Sequence, residues 1–467
     1  MQVYNTLGRS MQPFETRDPG RVGMYVCGPT VQSAPHVGHG RQAVAFDVIR
    51  RYLEWRGYSV KYVANITDIE DKIIAAAIEQ GISTAEVAER AGQQFLDAYA
   101  RLRVRPYDVT AVATDHIPEM IEMIEQLLER GHAYAAGGDV YFSVRSLSTY
   151  GELSGRNVDE LVSGSRVDPG EHKRDPLDFA LWKGSKPNEP TWDSPWGPGR
   201  PGWHIECSAM ALKELGFGFD IHGGGLDLIF PHHENEIAQS EAAENDRPFA
   251  RYWLHNGMVR LKGEKMAKSV GNIVGLLDLL DQYRPAAVRL FYLRAHYRQP
   301  IDFAPELLVD AEAALDRLWS FRRRSGQVDA AADSVVLERF TAAMDDDFNT
   351  AEAMGVLFEV VRDGNRHLDA GEDAGPYLAA FDEIVGVLGL GEQDSVVDDL
   401  LDPLRDVAAQ FGVVGSDAEG IVSELIAART VARAEQDFER ADAIRVSVAE
   451  IGVVLEDGSD GTSWHRR

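Results

Sequence analysis

Residues 22–27 form a short apolar run that predicts a buried strand, and a turn-rich segment follows from Gly28 to Gly38. From about His39 to Trp55, apolar residues recur at helical spacing (Val44, Phe46, Val48, Ile49, Tyr52, Leu53). Gly57 closes that helix, and 58–63 read as a second strand. Strand, glycine-containing loop, helix and strand open a βαβ unit, so the pattern predicts an α/β fold with a parallel sheet. Helices are expected at 84–102 and 117–131. Residues 133–200 are rich in Gly, Pro, Ser and charge, with a hairpin-like alternation at 139–142, so about 107–200 reads as an insertion. Short strands, glycine-rich turns and histidines return over 201–272. Beyond about 275 the period is helical, at 284–297, 304–324, 335–345, 350–367 and 376–389. An acid-rich loop at 391–399 leads to a last helical pair, 418–434 and 436–451. A small hairpin is expected from 453–457 and 462–464.

The 467 residues are about three times a typical domain, so two to four domains are expected. With 44% hydrophobic residues the chain buries a large core, and it has no apolar run long enough to span a membrane. The first residues lack the basic start and apolar run of a signal peptide, and two cysteines cannot build a disulfide framework. A reducing cytoplasm is the expected compartment.

The formal charge of −28 falls mainly on residues 301–467, which hold 36 acids, 14 arginines and no lysine. A polyanion would therefore have to be met by local clusters against a repulsive background. Against 38 arginines the chain has nine lysines, and three of them, Lys262, Lys265 and Lys268, fall within seven residues. Such clustering in a lysine-poor chain points to a need for compact ammonium groups.

Four constellations carry candidate chemistry. His36, Val37, Gly38 and His39 stand where a loop enters a helix, a place where free amides and the helix dipole attract anions. Lys265 and Lys268 flank small residues in a polar loop suited to closing over phosphates. Cys27, Cys207, His232 and Glu236 offer thiolate, imidazole and carboxylate donors, with His232 and Glu236 one helical turn apart near Pro231. Two buried unreactive cysteines beside a solvated helix face remain the alternative. Asp227, after the triple glycine 223–225, is placed to meet ribose hydroxyls or an ammonium.

In this order the motifs resemble the class I aminoacyl-tRNA synthetases: residues 36–39 match their H-I-G-H signature and 265–269 their K-M-S-K-S signature. The blocks at 25–31, 65–72, 202–210 and 230–240 resemble the cysteinyl-tRNA synthetase family, and the likeness reaches Trp464. Val37 and Ala267 depart from the two signatures, the second by one hydroxyl. The resemblance implies a Rossmann-like catalytic domain over 1–300 with the insertion, a helical tRNA-binding domain over 301–395 and an anticodon-binding module over 396–467. It implies activation of L-cysteine with ATP and transfer to tRNA(Cys), by a monomer that carries one zinc ion and uses Mg²⁺ with ATP. Residue by residue, it places zinc on Cys27, Cys207, His232 and Glu236, with His233 a neighbour. Thr67 and Trp203 fall beside the amino acid, and Gly38, His36, His39, Asp227 and Lys268 on ATP. His36, His39, Lys265 and Lys268 become the catalytic set. Trp464, with Arg466 and Arg467, is placed to stack on a base or to pack the terminal hairpin. A cysteine:amino-sugar ligase of mycothiol synthesis and an inactive RNA-binding relative are the alternatives.

Overall fold

The computed structural model describes the chain except for 158–171, 188, 245–247, 262–263, 266–272, 326–329, 392–399, 416, 459–460 and 467, and gives backbone alone at 264–265, 419, 458, 463 and 465–466. A short N-terminal hairpin, β1 (Gln2–Asn5) and β2 (Ser10–Pro13), precedes the first sheet strand, β3 (Arg21–Val26). Then follow α1 (Val37–Trp55), β4 (Ser59–Ile66), α2 (Asp71–Gln80), α3 (Thr84–Arg101), β5 (Val109–Val112) and α4 (Ile117–Glu129). After the inserted strands β6 (Ala133–Ala136), β7 (Asp139–Phe142), β8 (Phe179–Gly184) and β9 (Gly199–Pro201) come α5 (Trp203–Leu215), β10 (Phe219–Gly225), α6 (Glu234–Glu244) and β11 (Ala250–Asn256).

The main sheet is wholly parallel in the order β11-β10-β3-β4-β5. The chain leaves β3 toward β4 on one side and returns later as β10 on the other. Strands β3 and β10 therefore flank a topological switch point, where an open parallel sheet has its ligand crevice. Both faces are covered: α1 and its apolar stripe of Val44, Phe46, Val48 and Leu53 lie on one, and α4, α5 and α6 with Ile205 and Met210 on the other. Gly223 is required by this packing, because a Cβ there would lie 2.3 Å from the Phe46 ring.

The inserted strands form a separate antiparallel sheet, β6-β7-β8-β9, as the hairpin alternation at 139–142 foretold. Its expected start at about 107 is corrected, because β5 pairs in parallel with β4 and belongs to the main sheet. A four-residue strand at a sheet edge carries too little periodicity to announce itself.

Strands β12 (Val259–Leu261) and β13 (Glu264–Lys265) lead on to α7 (Leu276–Gln282), α8 (Pro285–Leu293) and β14 (Ile301–Phe303). Four helices follow: α9 (Pro305–Arg324), α10 (Ser334–Asp345), α11 (Thr350–Ala370) and α12 (Gly375–Leu388). Their apolar faces join α1 and α8 in one continuous core. The terminal part has its own small core, built by α13 (Leu401–Phe411), α14 (Ala418–Ala434), α15 (Phe438–Glu450) and the hairpin β15 (Val453–Gly458) with β16 (Gly461–Arg466). Half-buried Trp464 packs against that core. The acid-rich loop lies largely outside the described residues. Among the described residues, no helix is long and apolar enough to cross a membrane.

Candidate active site and metal centre

A cleft of about 360 Å³ opens at the switch point. Cys27, Gly28 and Pro29 enter it from the end of β3, Gly225 and Asp227 from the end of β10, and His36, Gly38, His39 and Gln42 from the start of α1. Lys72 and Trp203 line it as well. The loop after β3 passes so close to β4 that a Cβ on Gly28 would meet the Asn65 carbonyl at 1.7 Å, while Gly28 N–H donates to Asn65 Oδ1 at 2.7 Å. Only glycine fits there.

His36 caps α1. Its Nδ1 accepts from Gly38 N–H and His39 Nδ1 accepts from His36 N–H, both at 3.1 Å, while the two rings stack 3.7 Å apart. With each Nδ1 an acceptor, the proton of each ring is on Nε2, so both histidines are donors at a helix N-terminus. The start of α1 is fixed from behind: buried Arg41 donates to the carbonyls of Gly257, His296, Tyr297 and Gln299, and Tyr292 Oη donates to Val37 O at 2.8 Å.

Lys268 and the rest of 266–272 lie outside the described residues, and only the backbone of Lys265 is described. The chain on either side is anchored to the cleft. Strand β13 pairs with β12, placing Lys265 opposite Arg260; Val37 N–H donates to Val274 O and Leu276 N–H to Pro35 O, at 3.1 and 2.9 Å. Met258, Val259 and Ile273 line the cleft itself.

Beside the cleft, Cys27 at the tip of β3, Cys207 on α5, and His232 and Glu236 around the start of α6 converge. Their ligand atoms lie within 4.8 Å of one another, and all four residues are buried. His232 Nε2 is 3.0 Å from Glu236 Oε1, as the one-turn spacing predicted, although residues 229–233 form a wider turn before α6 begins. Burial opposes ionisation here, yet the Cys27 hydrogen bond and His232 bring the Cys207 thiol down to about 6. Burial and Cys207 push Cys27 up. Glu236, against the cost of burial, is held well below the usual range by His222 and His232, and His232 is raised to about 10 by Glu236 and Cys207.

This donor set fits zinc by the chemistry of its atoms. A second set, Cys27, His222, His233 and Glu236, overlaps it; His222 Nε2 lies 2.9 Å from Glu236 Oε2, and His233 Nε2 has no hydrogen-bond partner. The two sets share Cys27 and Glu236, and only the set with Cys207 and His232 offers two thiols.

Trp203 stacks on His232 with ring centroids 4.2 Å apart, which places it beside the metal set. Thr67 is buried and does not line the open cleft. Its hydroxyl donates to Glu206 Oε2 at 3.0 Å and accepts from Asn65 Nδ2 at 3.2 Å. No individual role is read from the sequence for His222, Glu206, Gln42 or Lys72. Gln42, whose Nε2 donates to Cys27 O at 2.7 Å, stands three residues after His39 on the same helix face, a signal that was available.

A parallel sheet with a cleft at its switch point, and two histidines at the start of the first helix that lines it, is the arrangement of a class I aminoacyl-tRNA synthetase. Residues 13–313 match the family model described as the tRNA synthetases class I (C) catalytic domain, 339–392 the DALR domain and 416–464 the cysteinyl-tRNA ligase anticodon binding domain. The chain belongs to the cysteine–tRNA ligase family: it is 48% identical over 471 residues to the cysteine–tRNA ligase of Shewanella loihica, with all of both chains covered. That of Alkalilimnicola ehrlichii is 49% identical over the same coverage, and that of Geobacter sulfurreducens 48% over 99% of each chain. In fold the chain is similar to Mycobacterium tuberculosis methionyl-tRNA synthetase in complex with methionyl-adenylate (TM-score 0.59, 18% identity, 79% of this chain and 90% of that one).

Proposed function

We propose that the chain activates L-cysteine with ATP and Mg²⁺ and transfers it to the 3′ end of tRNA(Cys). The observation that carries this reading is the buried Cys27–Cys207–His232–Glu236 set beside Trp203, joined through Cys27 to a cleft that His36 and His39 also line. Zinc bound there supplies a Lewis acid that favours a substrate thiol over the hydroxyl of serine.

In the first step a carboxylate oxygen of cysteine attacks the α-phosphorus of ATP, and the bond to the β-phosphate oxygen breaks as pyrophosphate leaves with the electron pair. Negative charge grows on the leaving group. The Nε2–H donors of His36 and His39, the first amides of α1, Lys265 and Lys268 stabilise it. Gly38 lets ATP approach the backbone, and Asp227 is placed to accept from its ribose. In the second step the terminal ribose hydroxyl of tRNA attacks the acyl carbon and AMP departs.

We divide the chain into a catalytic domain over 1–300, a helical tRNA-binding domain over 301–395 and an anticodon-binding module over 396–467. The anticodon-binding match at 416–464 supports tRNA as the acceptor and disfavours the amino-sugar ligase. A monomer in the cytoplasm completes the proposal; two free buried cysteines suit a reducing compartment.

The test is transfer of labelled cysteine onto unfractionated tRNA with ATP and Mg²⁺, with serine as control. Cysteine-specific charging is expected, and its absence from zinc-loaded protein overturns the reading. Chelation is expected to abolish cysteine binding while ATP binding persists. Unchanged cysteine affinity in metal-free protein would remove the metal from substrate selection.

A further inference from the structure

We infer that Lys72 is a substrate-binding cation of the activation step, meeting the α-carboxylate of the amino acid and staying with the acyl phosphate formed from it. This rests on the amino-acid activation proposed above.

Lys72 is the second residue of α2, exposed, and it lines the cleft. Its Nζ lies 5.6 Å from the centroid of the Trp203 ring, and that ring stacks on His232. The contacts thus run from an ammonium, through one indole, to a ligand of the thiol-binding set. A cysteine carboxylate is three bonds from its sulfur, so a thiol held at that set leaves the carboxylate in the neighbourhood of Trp203.

The neighbouring carboxylates are already engaged. Asp71 holds Lys183 Nζ at 2.6 Å and pairs with Arg200, while Glu70 accepts the backbone N–H of Lys72 at 2.7 Å as the cap of α2. Among the described residues, no carboxylate pairs with Lys72 Nζ, and its contact is the face of an uncharged ring. A cation–π contact orients an ammonium without neutralising it.

The reaction creates the demand for this charge. A carboxylate must approach a triphosphate inside a protein of net charge −28, in a cleft whose described lining includes Asp227. An ammonium between the two anions lowers their repulsion during the approach. After the phosphorus–oxygen bond forms, it faces the remaining negative phosphate oxygen, so its contribution persists in the transition state.

The test compares Lys72→Gln and Lys72→Arg with wild type in cysteine-dependent ATP–pyrophosphate exchange and in tRNA charging, with zinc content measured on each protein. Lys72→Gln is expected to raise KM for cysteine and to lower kcat/KM for exchange by about 10- to 100-fold, the loss of one charge-assisted contact. Lys72→Arg is expected to recover most of this, with KM for ATP and zinc content unchanged. Normal exchange with slowed charging would overturn the inference by placing Lys72 on the tRNA terminus. Normal rates in both assays, or a zinc deficit in Lys72→Gln, would overturn it too. Wild-type protein that exchanges no pyrophosphate with cysteine would overturn the activation reading first.

Discussion

Three imidazoles around the metal set are held neutral by burial. His204, His233 and His255 are all lowered, His255 to about 3, first by desolvation and then by neighbouring histidines. His255 links two elements: its Nδ1 lies 2.8 Å from Thr6 Oγ1 and its Nε2 2.8 Å from His233 Nδ1. In the unfolded chain such a histidine takes up a proton near pH 6.5, whereas the folded one resists until about 3. The unfolded state therefore binds more protons in that window, and stability falls as pH drops from about 6.5 toward 3. Each such group steepens the decline by about 1.4 kcal/mol per pH unit. We expect Tm to fall from pH 7 to pH 5 and His255→Gln to lower Tm at pH 7 but flatten the decline. Parallel curves for the two proteins would show that His255 is not among the titrating groups.

At the scale of elements, the metal set depends on the insertion as much as on the sheet. Glu234, the first residue of α6, is buried, and its two carboxylate oxygens accept the N–H groups of Gly151 and Ser154 at 2.9 and 2.8 Å. Tyr150 Oη donates to Asn235 Oδ1 at 2.6 Å, and the Arg156 guanidinium covers the Phe230 ring at 4.5 Å. The turn at 150–156 thus grips the segment that presents His232 and Glu236. Glu234→Gln turns one of these acceptors into a donor facing an N–H. We expect zinc to be lost to a chromophoric chelator with about 10- to 100-fold weaker retention, the usual penalty for disturbing a supporting hydrogen bond, while ATP affinity is kept. Unaltered retention would detach the insertion from the metal set.

None of this grip was legible in the sequence, because it joins residues some 80 positions apart. What was legible is what one element encodes by itself. The long helices 304–324, 335–345 and 350–367 announced themselves through periodic apolar faces, and their observed ends agree to within about three residues. Helices α2 and α13 passed unnoticed. Each buries only three residues, Ile73, Ile74 and Ala77 in one and Leu404, Val407 and Ala408 in the other, and the second is interspersed with acids. Cys27, Cys207, His232, Glu236, His36 and His39 stand out in the sequence because each is a rare residue type in a distinctive local run. His222 and Glu206 meet Glu236 and Thr67 across the fold, a pairing that no local run announces.

For the whole molecule, helix α1 is the strut that ties the active site to the helical part. Its first turn carries His36 and His39, and two turns further on Asp47 is buried against Arg289 of α8 and accepts from Arg51 Nε at 2.7 Å. Arg289 is fully buried and also donates to Leu388 O at the end of α12 and to Leu102 O after α3, at 2.8 and 3.1 Å. One guanidinium thus joins the catalytic helix, the wall of the sheet domain and the helical part. Losing Asp47 leaves the buried Arg289 without its counter-charge, at about 3 to 5 kcal/mol, whereas losing Arg289 leaves Asp47 its contact with Arg51 and removes one buried charge, and the double variant removes the pair. Arg289→Met and Asp47→Asn are each expected to lower the denaturation midpoint sharply, and the double variant to lie well above the sum of the two losses. Strictly additive losses would mean the two charges are solvated separately. Pyrophosphate exchange by the folded fraction of Asp47→Asn adds the functional reading: on the proposed mechanism, in which α1 serves the first step before tRNA is engaged, it should fall with tRNA charging.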